Sequence, residues 1–492
     1  MKRAYKIFTV IMLITFSLLI SCNSKNSTVS DNSAPFEVGT AMVDITPPIG
    51  FPRYGYPPVV STGILDPLYA KTIVFKQGET MGALTVCNLL GIPRDLSRIA
   101  REKASAETGI PYENISISAT HSHTSPSITE AFKEYALRES AGKLTEEDKE
   151  SYFTKLIDGV AKSIALAANS VSEVEIVSGT GLAEGISFNR RFLMRDGRVR
   201  FNPGRNNPDI VKPAGPADPV VSFVLFKNAG QKNYTSSLTV FSSHYVRGGT
   251  AFSSDYPCFL QERFSELYGN DHISVFGLGP SGNVNTVDPL GPTDNKDADT
   301  KVKEYGYKLA NIVNSALPQA NTGKGSLEIV SKTIYLPMQG YTEEELEWSR
   351  DEGNPQLFNE RAFLNHRRRL KLSVWGVQPP LEKLRMYEAI APVVSGEPWM
   401  LPIEIQIFKL NSQTAIVTMP GELFTEFGID LKKRSPFPNT MLIELANIDI
   451  AYIPTLQGFH EGDYEAINSR VAPGSGEKMI EAALEMLKEL EN

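Results

Sequence analysis

The sequence has 492 residues, with 49 basic and 57 acidic side chains, a formal net charge of -8 and 41% hydrophobic residues. A chain of this size buries a large core, and charge spread along its length excludes the basic footprint of a nucleic-acid binder. Three cysteines, Cys22, Cys87 and Cys258, exclude a disulfide framework and an all-thiolate metal site, so any metal must rely on His, carboxylate or Tyr ligands.

The chain opens with Lys2, Arg3 and Lys6 ahead of a mostly apolar run over residues 7–20. That run is too short to span a bilayer comfortably and has the length of a signal peptide. Leu19-Ile20-Ser21-Cys22 resembles a bacterial lipobox, which makes Cys22 the expected lipidation site and residues 1–22 a targeting segment. Residues 23–35 are rich in Ser and Asn without apolar periodicity and read as a flexible tether. Residues 36–492 then form the expected single large domain.

Strand-like runs follow in order: KTIVF and GALTVC flanking Gln77-Gly78, then NISIS, VSFVLF, SSLTVF, HISVFGL, LEIVSKTIYL, IEIQIFKL and TAIVTM. Helical periodicity separates them. Phe153, Ile157, Val160, Ile164 and Ala167 share one face, and so do Tyr305, Leu309, Ile312, Val313 and Ala316. Thr342 and Glu345 form a capping box ahead of a further helix, and the basic cluster over residues 366–371 reads as a solvated helix face. Ile480, Leu484, Leu487 and Leu490 close the chain as an amphipathic helix. Interleaved helices and strands with several hairpins predict an α/β fold, a mixed β-sheet flanked by helices.

Chemistry-bearing residues gather where these runs end. In NISISATHSH the extended backbone points residues i and i+2 to one side, so His121 and His123 converge as the strand runs out. Two readings stand at this point, a shared site or a pair of hydrogen-bonded structural histidines. His244 likewise ends a strand-like run, followed by Gly248-Gly249 and by Asp255-Tyr256-Pro257. Glu422 follows a strand and a Pro-Gly turn; we expect it to open a helix, whose positive end favours an ionised acid. After HISVFGL, the glycine- and asparagine-rich loop containing Gly282, Asn283 and Asn285 offers donors for an anionic group. Tyr452 and Tyr464 bracket a loop rich in Gly, His and acid, and composition alone leaves either one a core phenol.

Taken together and in this order, the segments resemble the N-terminal catalytic domain of the neutral/alkaline, non-lysosomal ceramidases. The likeness runs from about Val38 to the end of the chain and rests on GTAMVDITPP with GYPP, residues 66–75, SATHSHTSP, Asn189-Arg190-Arg191, the His244 segment, MPGELFTEFG, and Tyr452 with Tyr464. The resemblance implies a zinc-dependent amidohydrolase acting on N-acylsphingosine, with one zinc ion held by His121, His244, Glu422 and Tyr452. It gives His123 a proton-transfer role and makes Arg190 and Tyr464 substrate contacts. Asn285 stands where the family carries a serine, which suits attack by water better than a serine-acyl route. A zinc site of this kind lowers the pKa of water toward about 7 and stabilises a developing oxyanion. The expected partners are a lipid or other small-molecule substrate and, through the N-terminal anchor, a membrane, with no nucleic acid; the expected location is the bacterial cell envelope. Two other readings keep the same residues: a zinc-dependent esterase or deacetylase on sugars, and a surface lipoprotein that binds without catalysis.

Overall fold

In a strand, successive side chains point to opposite faces, so every sheet offers two surfaces to cover. The computed structural model describes residues 28–29, 34–53, 59–126, 128, 145–292, 295–338 and 400–491. The lipobox with Cys22, the capping box at Thr342 and the basic cluster at 366–371 lie outside these residues.

In chain order the longer strands are β1 (Phe36–Asp44), β2 (Tyr69–Gln77), β3 (Thr80–Cys87), β4 (Ile115–Ala119), β5 (Ser172–Leu182), β6 (Val220–Asn228), β7 (Ser236–Phe241), β8 (Ile273–Leu278), β9 (Glu328–Pro337), β10 (Met400–Lys409), β11 (Thr414–Thr418) and β12 (Asn439–Ile443). The longer helices are α1 (Arg94–Thr108), α2 (Glu146–Ala168), α3 (Tyr256–Tyr268), α4 (Ala298–Ala316), α5 (Thr425–Arg434) and α6 (Ser475–Glu491). The larger sheet has the order β8-β7-β6-β5-β1-β2-β3-β4, and its ninth strand, Asn321–Gly323, pairs with β5. Its neighbours are antiparallel except at the two ends, where β7–β8 and β3–β4 run parallel. The sheet is therefore mixed, as the hairpin-rich sequence predicts. The Gln77-Gly78 turn is the tight link from β2 to β3, with Gly78 at φ 58°, a conformation that favours glycine in a two-residue hairpin loop.

A second sheet of order β9-β10-β11-β12 is antiparallel except for its last, parallel pair. Thr28–Val29 adds to its β9 edge by pairing with Ile329 and Glu328. Part of the expected tether is thus docked, because an open strand edge offers unpaired N–H and C=O groups to any extended segment within reach.

The layers follow from the alternation. Ile73 and Phe75 of β2 and Phe226 of β6 face Phe408, Ile416 and Ile443 of the second sheet, and the Phe75 and Phe408 rings lie 6.0 Å apart. Val74 of β2 and Phe223 of β6 point the other way, onto Leu156 and Val160 of α2, Leu260 of α3 and Leu309 of α4. Ile403, Ile405 and Ile407 of β10 pack on Leu431 of α5 and Leu484 and Leu487 of α6. The result is four layers: helices, large sheet, small sheet, helices. Each fully buried aliphatic or aromatic side chain in these layers contributes about 1.5–3 kcal/mol relative to exposure.

One feature of this stack positions the site. The edge strands β4 and β8 approach each other, and the chain leaving β12 fills the gap between them. Glu444 donates its N–H to the Leu278 carbonyl at the end of β8 (2.9 Å), and Asn447 donates its N–H to Ile117 of β4 (2.7 Å). The ends of β4, β7, β8 and β11 are thereby gathered around the segment 444–452.

Candidate metal centre

His121 follows β4 with its backbone at φ 61°, a left-handed conformation that is uncommon for a non-glycine residue. Its Nδ1 lies 2.8 Å from the Leu90 carbonyl. A carbonyl only accepts, so Nδ1 carries the proton and donates it, and Nε2 is left with its lone pair facing inward. Backbone acceptance of the second ring N–H is the usual means of orienting a metal-ligating histidine.

Three imidazoles converge there. His123 Nε2 stands 3.1 Å from His121 Nε2, and the ring centroids of His121 and His244 are 4.6 Å apart. The nitrogens of His121, His123 and His244 all lie within 4.8 Å of one another, close enough to share an ion. Glu422 joins them from the second sheet, its Oε2 3.3 Å from His121 Nε2. That oxygen is buried with no hydrogen-bond partner among the described residues. An unpartnered buried carboxylate oxygen is costly in the absence of a cation, and with two or three inward imidazoles it fits the N/O donor set of a zinc site. The residues present therefore suit the expected ion.

Electrostatics favour neutral, ligating imidazoles at two of the three positions. Burial, and then the charges of His121 and Arg190, hold His123 well below the usual histidine range. Burial followed by Arg190 does the same for His244. Burial also pushes His121 down, but the charge of Glu422 and the Leu90 carbonyl outweigh it, so its pKa is raised.

The expected helix start at Glu422 is not what forms. Glu422–Leu423 is a two-residue strand parallel to Tyr452–Ile453, and α5 begins at Thr425. The first-turn acid is Glu426, so no helix dipole acts directly on Glu422. Instead the strand pairing sets Glu422 opposite Tyr452, with the Glu422 N–H donating to the Ala451 carbonyl (2.8 Å). The Tyr452 ring lies 5.3 Å from the Tyr464 ring and 5.3 Å from the Arg190 guanidinium carbon. His121, His123, His244, Glu422, Tyr452, Tyr464 and Arg190 thus meet in one place, with Gly282 beside Arg190 and Glu422.

Arg190 is committed to the protein. Its Nε donates to Glu465 (2.9 Å), its Nη1 meets His244 Nε2 (3.3 Å), and its Nη2 donates to the Gly282 carbonyl (2.7 Å). The loop over 282–285 turns one donor each of Gly282, Asn283 and Asn285 onto the protein. Gly282 spends its N–H on the Leu423 carbonyl (2.8 Å), and the Asn283 amide donates to Glu426 and accepts from the Thr425 N–H. Asn285 donates to Asn202 and accepts from Val287. These side-chain amides cap and brace the loop. Asp255 is likewise structural: it caps α3 and accepts the N–H groups of Val246, Arg247 and Tyr256, which fixes the turn after His244. Burial pushes its pKa up to about 6 against those hydrogen bonds.

Sequence reasoning missed two residues that build the site. Glu444 is fully buried and accepts from the Ser281 N–H (3.0 Å), the Ser281 hydroxyl (2.5 Å) and the Leu423 N–H (2.7 Å). It ties the loop after β8 to the strand carrying Glu422. Its signal was a carboxylate ending the apolar run MLIE, the same pattern that marks the histidines. Asn447 accepts the Ile117 N–H (3.0 Å) beneath the strand that delivers His121. Among the described residues eight non-glycine positions have positive φ, and six of them, His121, Asp255, Leu445, Asn447, Ala451 and Asp463, lie on the segments that shape this centre. Concentrated backbone strain of this kind marks functional sites.

No family model and no curated protein matches the sequence. Solved structures do. The chain is similar in fold to neutral ceramidase from Pseudomonas aeruginosa, with a TM-score of 0.66 and 18% identity over 93% of this chain and 75% of that one. A structure of ceramidase complexed with C2 matches with the same TM-score, identity and coverage. The shared feature is the fold.

Proposed function

We propose that this protein is a zinc-dependent hydrolase of ceramide-like N-acyl amides. The observation that carries the proposal is the meeting of His121, His123 and His244 with Glu422, whose Oε2 is buried without a hydrogen bond, in a fold similar to that of a neutral ceramidase. On this reading His121, His244, Glu422 and Tyr452 hold the ion. Bound there, zinc supplies Lewis acidity toward a carbonyl oxygen and lowers the pKa of water.

The chain's own groups do the rest. His123 rests neutral, so its imidazole takes the proton of the attacking water and returns it to the amide nitrogen as the C–N bond breaks, releasing a carboxylate and an amine. Without that proton the amine leaves poorly. The Tyr464 phenol, stacked on Phe201 at 4.5 Å, supplies a hydroxyl for the substrate carbonyl. Arg190 acts through others: its guanidinium keeps the His244 ring and the Gly282 carbonyl in place, and Glu465 compensates its buried charge. On this reading the expected signal segment and a lipidated Cys22 would hold the enzyme at the envelope membrane, close to acylated lipids. Among the described residues no helix is long and apolar enough to cross a membrane.

The test is hydrolysis of a fluorogenic N-acylsphingosine by the zinc-supplied chain, with His121→Ala as control. Cleavage that depends on His121 is expected. Zinc bound in full with no cleavage of any N-acyl amide would overturn the amidase reading.

A further inference from the structure

Arg53 sits on the two-residue strand Pro52–Arg53, which pairs with Val59–Val60 and bridges to Pro126, three residues after His123. Phe51 anchors this hairpin in the core, with its ring 4.7 Å from that of Tyr152. The Arg53 side chain is 8% exposed, and its Nη1 donates to the His123 carbonyl at 2.5 Å. Its Nε is buried without a partner, and among the described residues it meets no carboxylate.

Four other buried arginines each meet an acid. Arg101 is paired with Glu404, Arg190 and Arg191 with Glu465, and Arg247 with Asp299. Lys71 also lacks an acid, but its ammonium is met by Gln261 and the Ser274 carbonyl. Burial pulls the pKa of Arg53 down, and only Tyr245, whose ring stacks at 3.8 Å on His123, acts the other way. A guanidinium buried without a counter-charge is costly to the fold, and its planar donors match a carboxylate or sulfonate in two-point fashion.

We propose that Arg53 binds an anionic group on the substrate and so selects N-acyl amines whose amine half carries a carboxylate or sulfonate. The assignment to the amine half rests on the proposed function, in which His123 returns its proton to the leaving nitrogen, and Arg53 is bonded to the backbone of His123. This guanidinium is then the specificity determinant of the site, and a neutral amine leaves it uncompensated.

The experiment compares kcat/KM of the zinc-supplied chain on N-dodecanoylglycine, N-dodecanoyltaurine and N-dodecanoylethanolamine, in wild type, Arg53→Met and Arg53→Lys. The wild type is expected to favour the two anionic substrates. Arg53→Met should lower their kcat/KM by roughly tenfold to a hundredfold more than that of the ethanolamide, the range of a lost charged hydrogen bond. Arg53→Lys should retain part of the preference. Thermal unfolding of Arg53→Met should be unchanged or shifted upward, because an uncompensated buried cation has been removed. Calorimetric binding of N-dodecylglycine, which has no amide to cleave, gives a second readout and should weaken to the same extent in Arg53→Met. Loss of that binding in a protein that cleaves no amide would refute the proposed reaction and uphold the anion site. Equal turnover of glycine and ethanolamine amides by the wild type would overturn the inference while the amidase reading stands, and this arm decides the matter even if Arg53→Met fails to fold. An Arg53→Met effect confined to inhibition by dodecanoate would overturn it too, since Arg53 would then bind the product acid.

Discussion

Gly282→Ala should disable the metal centre without touching a ligand. A Cβ at this position would lie 2.4 Å from the Glu422 carbonyl oxygen, 3.0 Å from the Glu422 carbonyl carbon and 3.0 Å from the Leu423 carbonyl oxygen. All three are backbone atoms and cannot swing aside. Neither partner has slack, since Gly282 is held by Leu423 and Arg190 while the Glu422 strand is held by Ala451 and Glu444. Relieving the shortest contact to 3.0 Å moves the Glu422 backbone by about 0.6 Å, against a ligand-distance tolerance of about 0.2 Å for a metal site. Zinc affinity should fall roughly tenfold to a hundredfold, as for loss of a supporting interaction, and stability by about 1–3 kcal/mol, as for overpacking. Competition titration with a zinc chelator and urea unfolding read the two quantities. Gly63→Ala, whose Cβ would meet Ala251 only at 4.0 Å, is the control and should match wild type. Wild-type zinc affinity in Gly282→Ala would refute the argument that this close approach sets the position of Glu422.

Two further outcomes follow from the geometry. His123→Ala should retain zinc and lose roughly 10²- to 10⁴-fold in turnover, the usual worth of a positioned proton carrier, whereas His121→Ala should lose zinc; the reverse pattern, read by elemental analysis and kinetics, would exchange their roles. Remote from the centre, His272 is buried between the Tyr234 carbonyl and the Ser237 hydroxyl, each 2.9 Å away, and burial pushes its pKa down to about 4. The unfolded chain then binds the extra proton between about pH 6.5 and 4, so this residue's contribution, about 3 kcal/mol, is complete above pH 6.5 and is lost as the pH falls toward 4. His272→Gln should flatten the pH dependence of urea stability in that window, and an unchanged slope would refute the assignment.

Much of this was legible from local pattern. The runs around Gln77-Gly78, the strand before His121 and the faces of α2 and α4 all form where periodicity put them, because one apolar face per element is enough to specify them. Strand β5 was missed: Gly179 and Gly181 make SEVEIVSGTGL read as a loop. Both glycines answer to packing, since a Cβ at Gly181 would meet Ile312 at 2.5 Å and one at Gly179 would meet Phe223 at 3.1 Å. Helix α3, capped by Asp255, was not anticipated either. The histidines could be found because each ends an apolar strand. Glu422 was found for the wrong local reason, as its strand exists only through pairing with Tyr452, thirty residues on. Glu444 and Asn447 act between sheets, a relation that sequence periodicity does not encode, and composition does not show which acceptor each amide of the 282–285 loop will meet.

The most direct measurement is a zinc-edge anomalous difference map from crystals of the zinc-supplied protein. One strong peak per chain is expected, within coordinating distance of His121 Nε2, the His244 imidazole and the Glu422 carboxylate. No peak there, with zinc present in the crystal, would mean that these histidines are structural and that the proposed chemistry is wrong.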